Sequence, residues 1–477
     1  MPPCPLQHTI RRYPRHARRI SLQHVPSASY LHNGLVYTRL RLAGADNTNT
    51  AVGQSPGSRA YHSSRKSSGW AAVASVATNV VSNVAKRAVN GPSDLPNHPL
   101  KLLAKELGTK FLTPSIAKLV SSSTPQLDRV AKYYTQSEGK YVRPRIVLLM
   151  SRATSLCPKA SPASTDPPRT AASIDHPISP ASILSNVSDS SSPARPTSSI
   201  LTFQPPQETL PGVNPAQRRL AEITETIHTA SLLHDDVIDH SEARRGAPSA
   251  NLQFGNKMAV LGGDFLLARA SVALARLRHP EVVELLATVI ANLVEGEFMQ
   301  LKNTALDEAN PVWTEDALTY YLEKTYLKTA SLISKSCRAT AILGDVDAAT
   351  VEAAYLYGKN LGLAFQLVDD MLDYTRSGTD LGKPAGADLE LGLATAPLLF
   401  AWKGNPELGA LVGRKFSAEG DVNLARELVL KSNGIEQTRA LAESYANQAA
   451  AAIEAFPDSE AKEGLLQMTR DVLKRKK

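Results

Sequence analysis

Two stretches of this 477-residue chain place three aspartates each in otherwise apolar surroundings. The first, "SLLHDDVIDHSEARRG", carries Asp235, Asp236 and Asp239, and the second, "AFQLVDDMLDYTRSG", repeats the spacing at Asp369, Asp370 and Asp373. On a helix the outer aspartates of such a triplet lie about one turn apart and the central one is offset by about 100°. Their carboxylates converge on one patch and repel. Hard divalent cations with oxygen ligands relieve that repulsion, and Mg²⁺ keeps waters while bridging to substrate phosphates. One DDxxD is weak evidence, because many acidic triplets simply face solvent. Two in apolar helices are much stronger: facing each other across a bundle, they would cage several Mg²⁺ ions and a diphosphate. Arg244, Arg245, Lys328 and Lys383 could then hold the phosphate oxygens that the metals leave uncovered. No convincing Ser–His–Asp set, reactive cysteine or Walker loop accompanies them. The pattern points to charge stabilisation of a leaving diphosphate, with no protein nucleophile.

Helices must position these groups. "TPQLDRVAKYY" offers Thr124 as N-cap and Pro125 at the first helical position, with Leu127, Val130, Ala131 and Tyr134 on one stripe. Asn214 and Pro215 open another helix by the same logic, running to about residue 240. Further helices are predicted at roughly 257–278, 280–302, 314–342, 348–376 and 388–403. No strand alternation of useful length and no fixed repeat occurs, so the fold class is all-α. His228 lies almost two turns before Asp235 and shares its face, while Gln366 precedes Asp369 and Asp373 on theirs. By itself, His228 reads as a satisfied core histidine, and Lys140 with Arg143 as a solvated helix end.

Composition bounds the rest. Residues 1–93 hold twelve Lys or Arg against one acid, Asp46, so the remainder carries −3 of the chain's +8. The basicity belongs to the N-terminus and gives no reason to expect nucleic acid as a partner. Arg, Ser and aliphatics without acids are the composition of a mitochondrial transit peptide, placed at 1–65 with cleavage near "SRAYHSS" and followed by a variable linker at 66–97. Cys4, Cys157 and Cys337 are far apart and form neither a zinc motif nor a disulfide framework. No run of 18 apolar residues exists, so no transmembrane helix is expected. Residues from about 155 to 213 are dominated by Ser, Pro, Ala and Thr, and are expected to form a disordered insertion within one domain spanning 98–477.

With these motifs in view, the chain resembles the trans-polyprenyl diphosphate synthases of the class I isoprenoid synthase family, above all the long-chain mitochondrial members that make quinone side chains. The resemblance covers about 98–477 except the insertion. "SLLHDDVIDHSEARRGAPS" and "AFQLVDDMLDY" resemble the family's two aspartate-rich motifs, and "EGKYVRP" its GKxxRP element. It implies a helical bundle around a central cavity and about three Mg²⁺ on Asp235, Asp236, Asp239, Asp369, Asp370 and Asp373. Lys140, Arg143 and His228 would bind the diphosphate of isopentenyl diphosphate, with Arg244 and Arg245 as further substrate contacts. Lys328 and Thr329 in "YLKTASLI", Gln366, and Lys383 in "LGKPAGADLELG" would face the allylic diphosphate, Lys328 also serving catalysis with the aspartates.

The family's reaction ionises the allylic C–O bond, and the isopentenyl double bond then attacks the cation before a proton is lost. Ala230 and Ser231, five and four positions before Asp235, are both small, which implies an open floor below the site and a long product. The separation of Arg143 and Asp235 by 92 positions is long for the family and is assigned to the insertion; deleting 160–208 is expected to preserve activity. A homodimer is expected, a heteromer remains open, and the apolar product implies peripheral contact with the inner mitochondrial membrane from the matrix. The rival readings are a class I terpene cyclase, which would not need the isopentenyl diphosphate residues, and a non-catalytic subunit.

Overall fold

An asparagine–proline pair starts the helix that carries the first acidic triplet. In the computed structural model, which describes residues 112–136, 141–160, 210–301, 311–375 and 386–475, that helix stands among others that follow with little interruption. α1 (Thr113–Leu119), α2 (Pro125–Gln136) and α3 (Val142–Thr154) come before it, and the helix itself is α4 (Pro215–Ile238). A small hairpin, β1 (Ala243–Arg244) and β2 (Ala247–Pro248), leads through α5 (Ala250–Phe254) to α6 (Asn256–Arg276) and α7 (Pro280–Leu301). Next are α8 (Glu315–Thr325), a π-helical turn at Tyr326–Ala330, α9 (Ser331–Leu343) and α10 (Ala348–Thr375). The chain continues through α11 (Ala387–Glu390), α12 (Ala396–Gly404), α13 (Glu407–Gly413), α14 (Asp421–Lys431), α15 (Gly434–Ala452) and α16 (Glu460–Leu473). The fold is all-α, as the periodicity predicts. The stretches 1–65 and 66–97, most of 155–213, Lys140 and Lys383 lie outside the described residues.

α4 is the central post. Every residue from Ala216 to Ile227 is buried, because α3, α6 and α9 all pack on it. Its start is a full capping box: Gln217 N–H donates to the Asn214 side chain, and Asn214 N–H donates to the Gln217 side chain. Both residues also donate from their side-chain amides to α9, Asn214 to Leu343 O at 2.7 Å and Gln217 to Thr340 O at 2.9 Å. Ile223, Ile227 and Leu233 share a core with Leu266, Leu286 and Leu332 of α6, α7 and α9. A second cluster joins Met150, Tyr357 and Leu465, and a third joins Leu367, Leu398 and Ala442. α3, which precedes the Ser/Pro-rich stretch, packs directly on α4, which follows it.

Three features differ from the periodicity reading. The helix expected at 314–342 is interrupted by the π turn, which bulges one extra residue per turn and re-aims Lys328 and Thr329. Two glycines make room there: a Cβ on Gly296 would stand 2.7 Å from Lys328 Cγ, and one on Gly362 would stand 2.6 Å from Ala330 Cα. The helix expected at 388–403 is instead α11 and α12, broken at Gly392, whose φ of +74° is the left-handed region that favours glycine. Finally, α6 is long and apolar enough by composition to span a bilayer, with mean hydropathy 1.5 over an 18-residue window of which 39% is buried. One face packs on α4, while Val260, Leu261 and Val272 stay exposed on another.

Candidate active site

The C-terminal turns of α4 bring Asp235 and Asp239 to its half-buried side, while Asp236 turns fully inward. There Asp236 accepts from the Tyr134 hydroxyl of α2 and from Arg244 Nε and Nη2, at 2.7 and 2.6 Å. Sequence spacing grouped its carboxylate with the other two; the structure commits it to this buried pairing. Arg244 lies on β1, and the hairpin reverses through Arg245 and Gly246, both at positive φ (54° and 78°) as a two-residue primed turn requires. Arg245 donates to Tyr134 O at 3.3 Å.

The second triplet has the same division. Asp370 is buried and accepts from the Tyr321 hydroxyl at 2.5 Å and from Gln366 Nε2 at 2.7 Å. Gln366 in turn accepts from Thr329 at 2.9 Å, tying the π turn to the triplet. Asp369 is exposed and pairs with Arg475 at 3.0 Å. Asp373 receives the backbone N–H groups of Ala387 and Asp388 at 3.2 and 3.3 Å. Lys328 meets Glu297 at 2.5 Å and Gln300 at 2.9 Å on α7.

Burial disfavours the charged form of several of these carboxylates. Burial, only partly offset by Lys328, raises Asp235 to about 6. Burial raises Asp370 to about 7 despite its two hydrogen bonds. Asp388, which the motif reading passed over, is driven far above the usual carboxylate range by burial and by Asp370, Asp373 and Asp369. All the donors are hard oxygens, so the set suits a divalent cation such as Mg²⁺ or Ca²⁺. Among the described residues no three acidic or imidazole groups already meet as a closed metal cluster.

Beside the triplets opens a cavity of about 730 Å³, lined by Arg143, Glu225, His228, Arg245, Thr329 and Asp369 among others. Arg143 Nη1 lies 2.9 Å from His228 Nε2. Burial first, then Arg143, Arg245 and Arg244, holds His228 far below its usual titration range, so it is a neutral acceptor for that arginine. Arg143 Nε is buried without a hydrogen-bond partner. Glu225, also overlooked in the sequence, is raised by burial and restrained by Arg143 and Arg245. The paired small residues separate: Ala230 is fully buried in the core, whereas Ser231 is half-buried and donates to His228 O at 2.9 Å.

Paired acidic helices beside a cation-lined cavity define a helical-bundle enzyme that handles diphosphates with divalent metal. A family model described as polyprenyl synthetase matches residues 176–429, a span that holds both triplets but not Arg143. A probable mitochondrial hexaprenyl pyrophosphate synthase of Neurospora crassa is 68% identical over 87% of this chain and 91% of its own length. A mitochondrial hexaprenyl pyrophosphate synthase of Saccharomyces cerevisiae is 46% identical over 83% and 94%. Among solved structures, a polyprenyl synthase of Caulobacter crescentus, complexed with calcium and isoprenyl diphosphate, aligns with TM-score 0.61 and 31% identity over 79% of this chain and 97% of that one. The chain belongs to the polyprenyl synthetase family. It is a prenyltransferase that lengthens an allylic diphosphate with isopentenyl diphosphate, and the family's chemistry uses divalent metal.

Proposed function

We propose that this enzyme makes hexaprenyl diphosphate in the mitochondrion for a quinone side chain, using Mg²⁺. The curated relatives named as mitochondrial hexaprenyl synthases support this product and place.

The contact of Arg143 with His228 on the wall of the cavity is the observation that carries the site assignment. Arg143 and Arg245 line that cavity together, and the diphosphate of isopentenyl diphosphate is the anion their guanidinium groups would take. Lys328, Thr329 and Gln366 face the allylic diphosphate, with Lys383 assigned there by its motif alone. Asp235, Asp239, Asp369 and Asp373 hold about three Mg²⁺, with Asp236 and Asp370 contributing through their neighbours. When bound, Mg²⁺ neutralises the charge that develops on the departing diphosphate. The protein orients the two substrates so that the isopentenyl double bond meets the allylic carbon as its C–O bond breaks. The electron pair leaves with diphosphate, and the proton lost after carbon–carbon bond formation passes to that anion.

Residues 1–65 serve as transit peptide and 66–97 as linker; the excursion from a catalytic domain spanning 98–477 begins later than the expected 155, since Cys157 is buried in the second core cluster and Ala160 N–H donates to Asp345 O at 2.9 Å. The exposed apolar faces of α6 and α7, with Leu261 and Phe298, support a homodimer; a heteromer is the competing outcome. The apolar product supports peripheral contact with the inner membrane. Asp235→Ala or Asp369→Ala is expected to abolish turnover with helicity unchanged by circular dichroism. Substantial residual turnover in either variant contradicts the site.

A further inference from the structure

The two acidic triplets share a device that their own residues do not reveal. In each, the central aspartate is turned inward onto a tyrosine hydroxyl from a different helix: Tyr134 of α2 for Asp236, and Tyr321 of α8 for Asp370. Both tyrosines are 3% exposed, and both aspartates are buried. Each aspartate also has a second donor that continues into the site. Arg244 precedes Arg245 on the hairpin, and Gln366 accepts from Thr329. Tyr134 does more: its oxygen accepts from the Ala250 N–H at 2.7 Å, while neighbouring Tyr133 donates to Pro248 O at 2.8 Å. The two residues together grip the far end of the hairpin.

We propose that Tyr134 and Tyr321 are positioning residues: by anchoring the central aspartate of each triplet they fix the rotation of its helix end, and so aim the outer aspartates at metal and diphosphate. A carboxylate one residue from a ligand position is a direct handle on that position, since rotation about the helix axis moves both together. The inference rests on the assignment of Asp235 and Asp369 to metal and diphosphate.

The test measures Mg²⁺-dependent binding of inorganic pyrophosphate by calorimetry, together with thermal melting, for the full chain and four variants. Tyr134→Phe and Tyr321→Phe keep the rings and remove only the hydroxyls. Tyr357→Phe is the control, since that buried hydroxyl donates to Leu465 O at 2.9 Å in a core cluster away from the triplets. Asp235→Asn tests the assignment itself. Each anchor variant is expected to weaken binding about tenfold, the scale of one hydrogen bond to a charged group, and to melt no lower than the control. Binding within twofold of the parent in both anchor variants, with Asp235→Asn defective, overturns the proposal and leaves the assignment standing. Equal weakening in the Tyr357→Phe control also overturns it, by reducing the effect to general stability. Parental binding in Asp235→Asn overturns the assignment and the proposal together.

Discussion

Replacing Arg143 by Gln tests the cavity most selectively. The guanidinium has one nitrogen on His228 at 2.9 Å and a second, Nε, buried with no partner. If the guanidinium meets a diphosphate oxygen in the cavity it lines, the substitution removes one charge-assisted hydrogen bond and the field of one cation. Such a bond contributes about 1.5–3 kcal/mol. Taking about 2–3 kcal/mol for the whole change, KM for isopentenyl diphosphate rises roughly 30- to 150-fold. The KM for the allylic substrate moves little, because the acidic triplets and Lys328 are untouched. Arg143→Lys keeps the charge but loses the planar fork, and falls between parent and Gln. Steady-state rates with each substrate varied against saturating amounts of the other give both constants. A KM for isopentenyl diphosphate within threefold of the parent in Arg143→Gln refutes the assignment of this cavity.

Four further outcomes follow from the geometry. The folded state binds more protons than the unfolded chain between about pH 4 and 6, because burial lifts Asp235 to about 6. Metal-free stability therefore falls as pH rises through that window, by at most about 3 kcal/mol. Asp235→Asn should lack this loss and be more stable than the parent at pH 8 but not at pH 4, as read by urea unfolding. Ser231→Phe fills the half-buried position one turn below Asp235 and should shorten the main product by one or more isoprene units on reversed-phase thin layers. Gly362→Ala places a Cβ 2.6 Å from Ala330 Cα, so it should cost about 1–3 kcal/mol and shift the π turn, seen as a lower melting temperature and a raised allylic KM. Leu261→Asp on the exposed face of α6, a residue 56% exposed, should convert a dimer to monomer by light scattering; an unchanged mass rejects that interface.

The residues most legible in sequence were those whose meaning is local. Asn214–Pro215 announces α4, and the spacing of Asp235 to Asp239 places both on one side, because caps and helical faces depend on a few adjacent residues. His228 and Gln366 were likewise found by counting turns. What stayed hidden depends on partners distant in the chain. Nothing near Asp236 tells that it turns away from its neighbours, since its anchor Tyr134 is 102 positions earlier. Tyr321 stands 49 positions before Asp370. Glu225 carried one faint signal, one turn before His228 on the same face, and Asp388 sat unremarked in the segment quoted after the second triplet. Arg475 gives no local signal in the sequence, yet it pairs with Asp369 and stacks 3.9 Å over Phe365. Ala230 and Ser231 are alike in size, but adjacent helical positions diverge by about 100°, and only Ser231 is half-buried.

The most direct test of the central claim uses purified protein lacking residues 1–65, with Mg²⁺, labelled isopentenyl diphosphate and farnesyl diphosphate. Products are dephosphorylated and separated by chain length. A ladder of intermediates ending at one dominant product of six isoprene units is the predicted result. Absence of any elongated product, with Mg²⁺-dependent pyrophosphate binding intact, contradicts an autonomous synthase; a ladder that ends at a different length contradicts the product assignment.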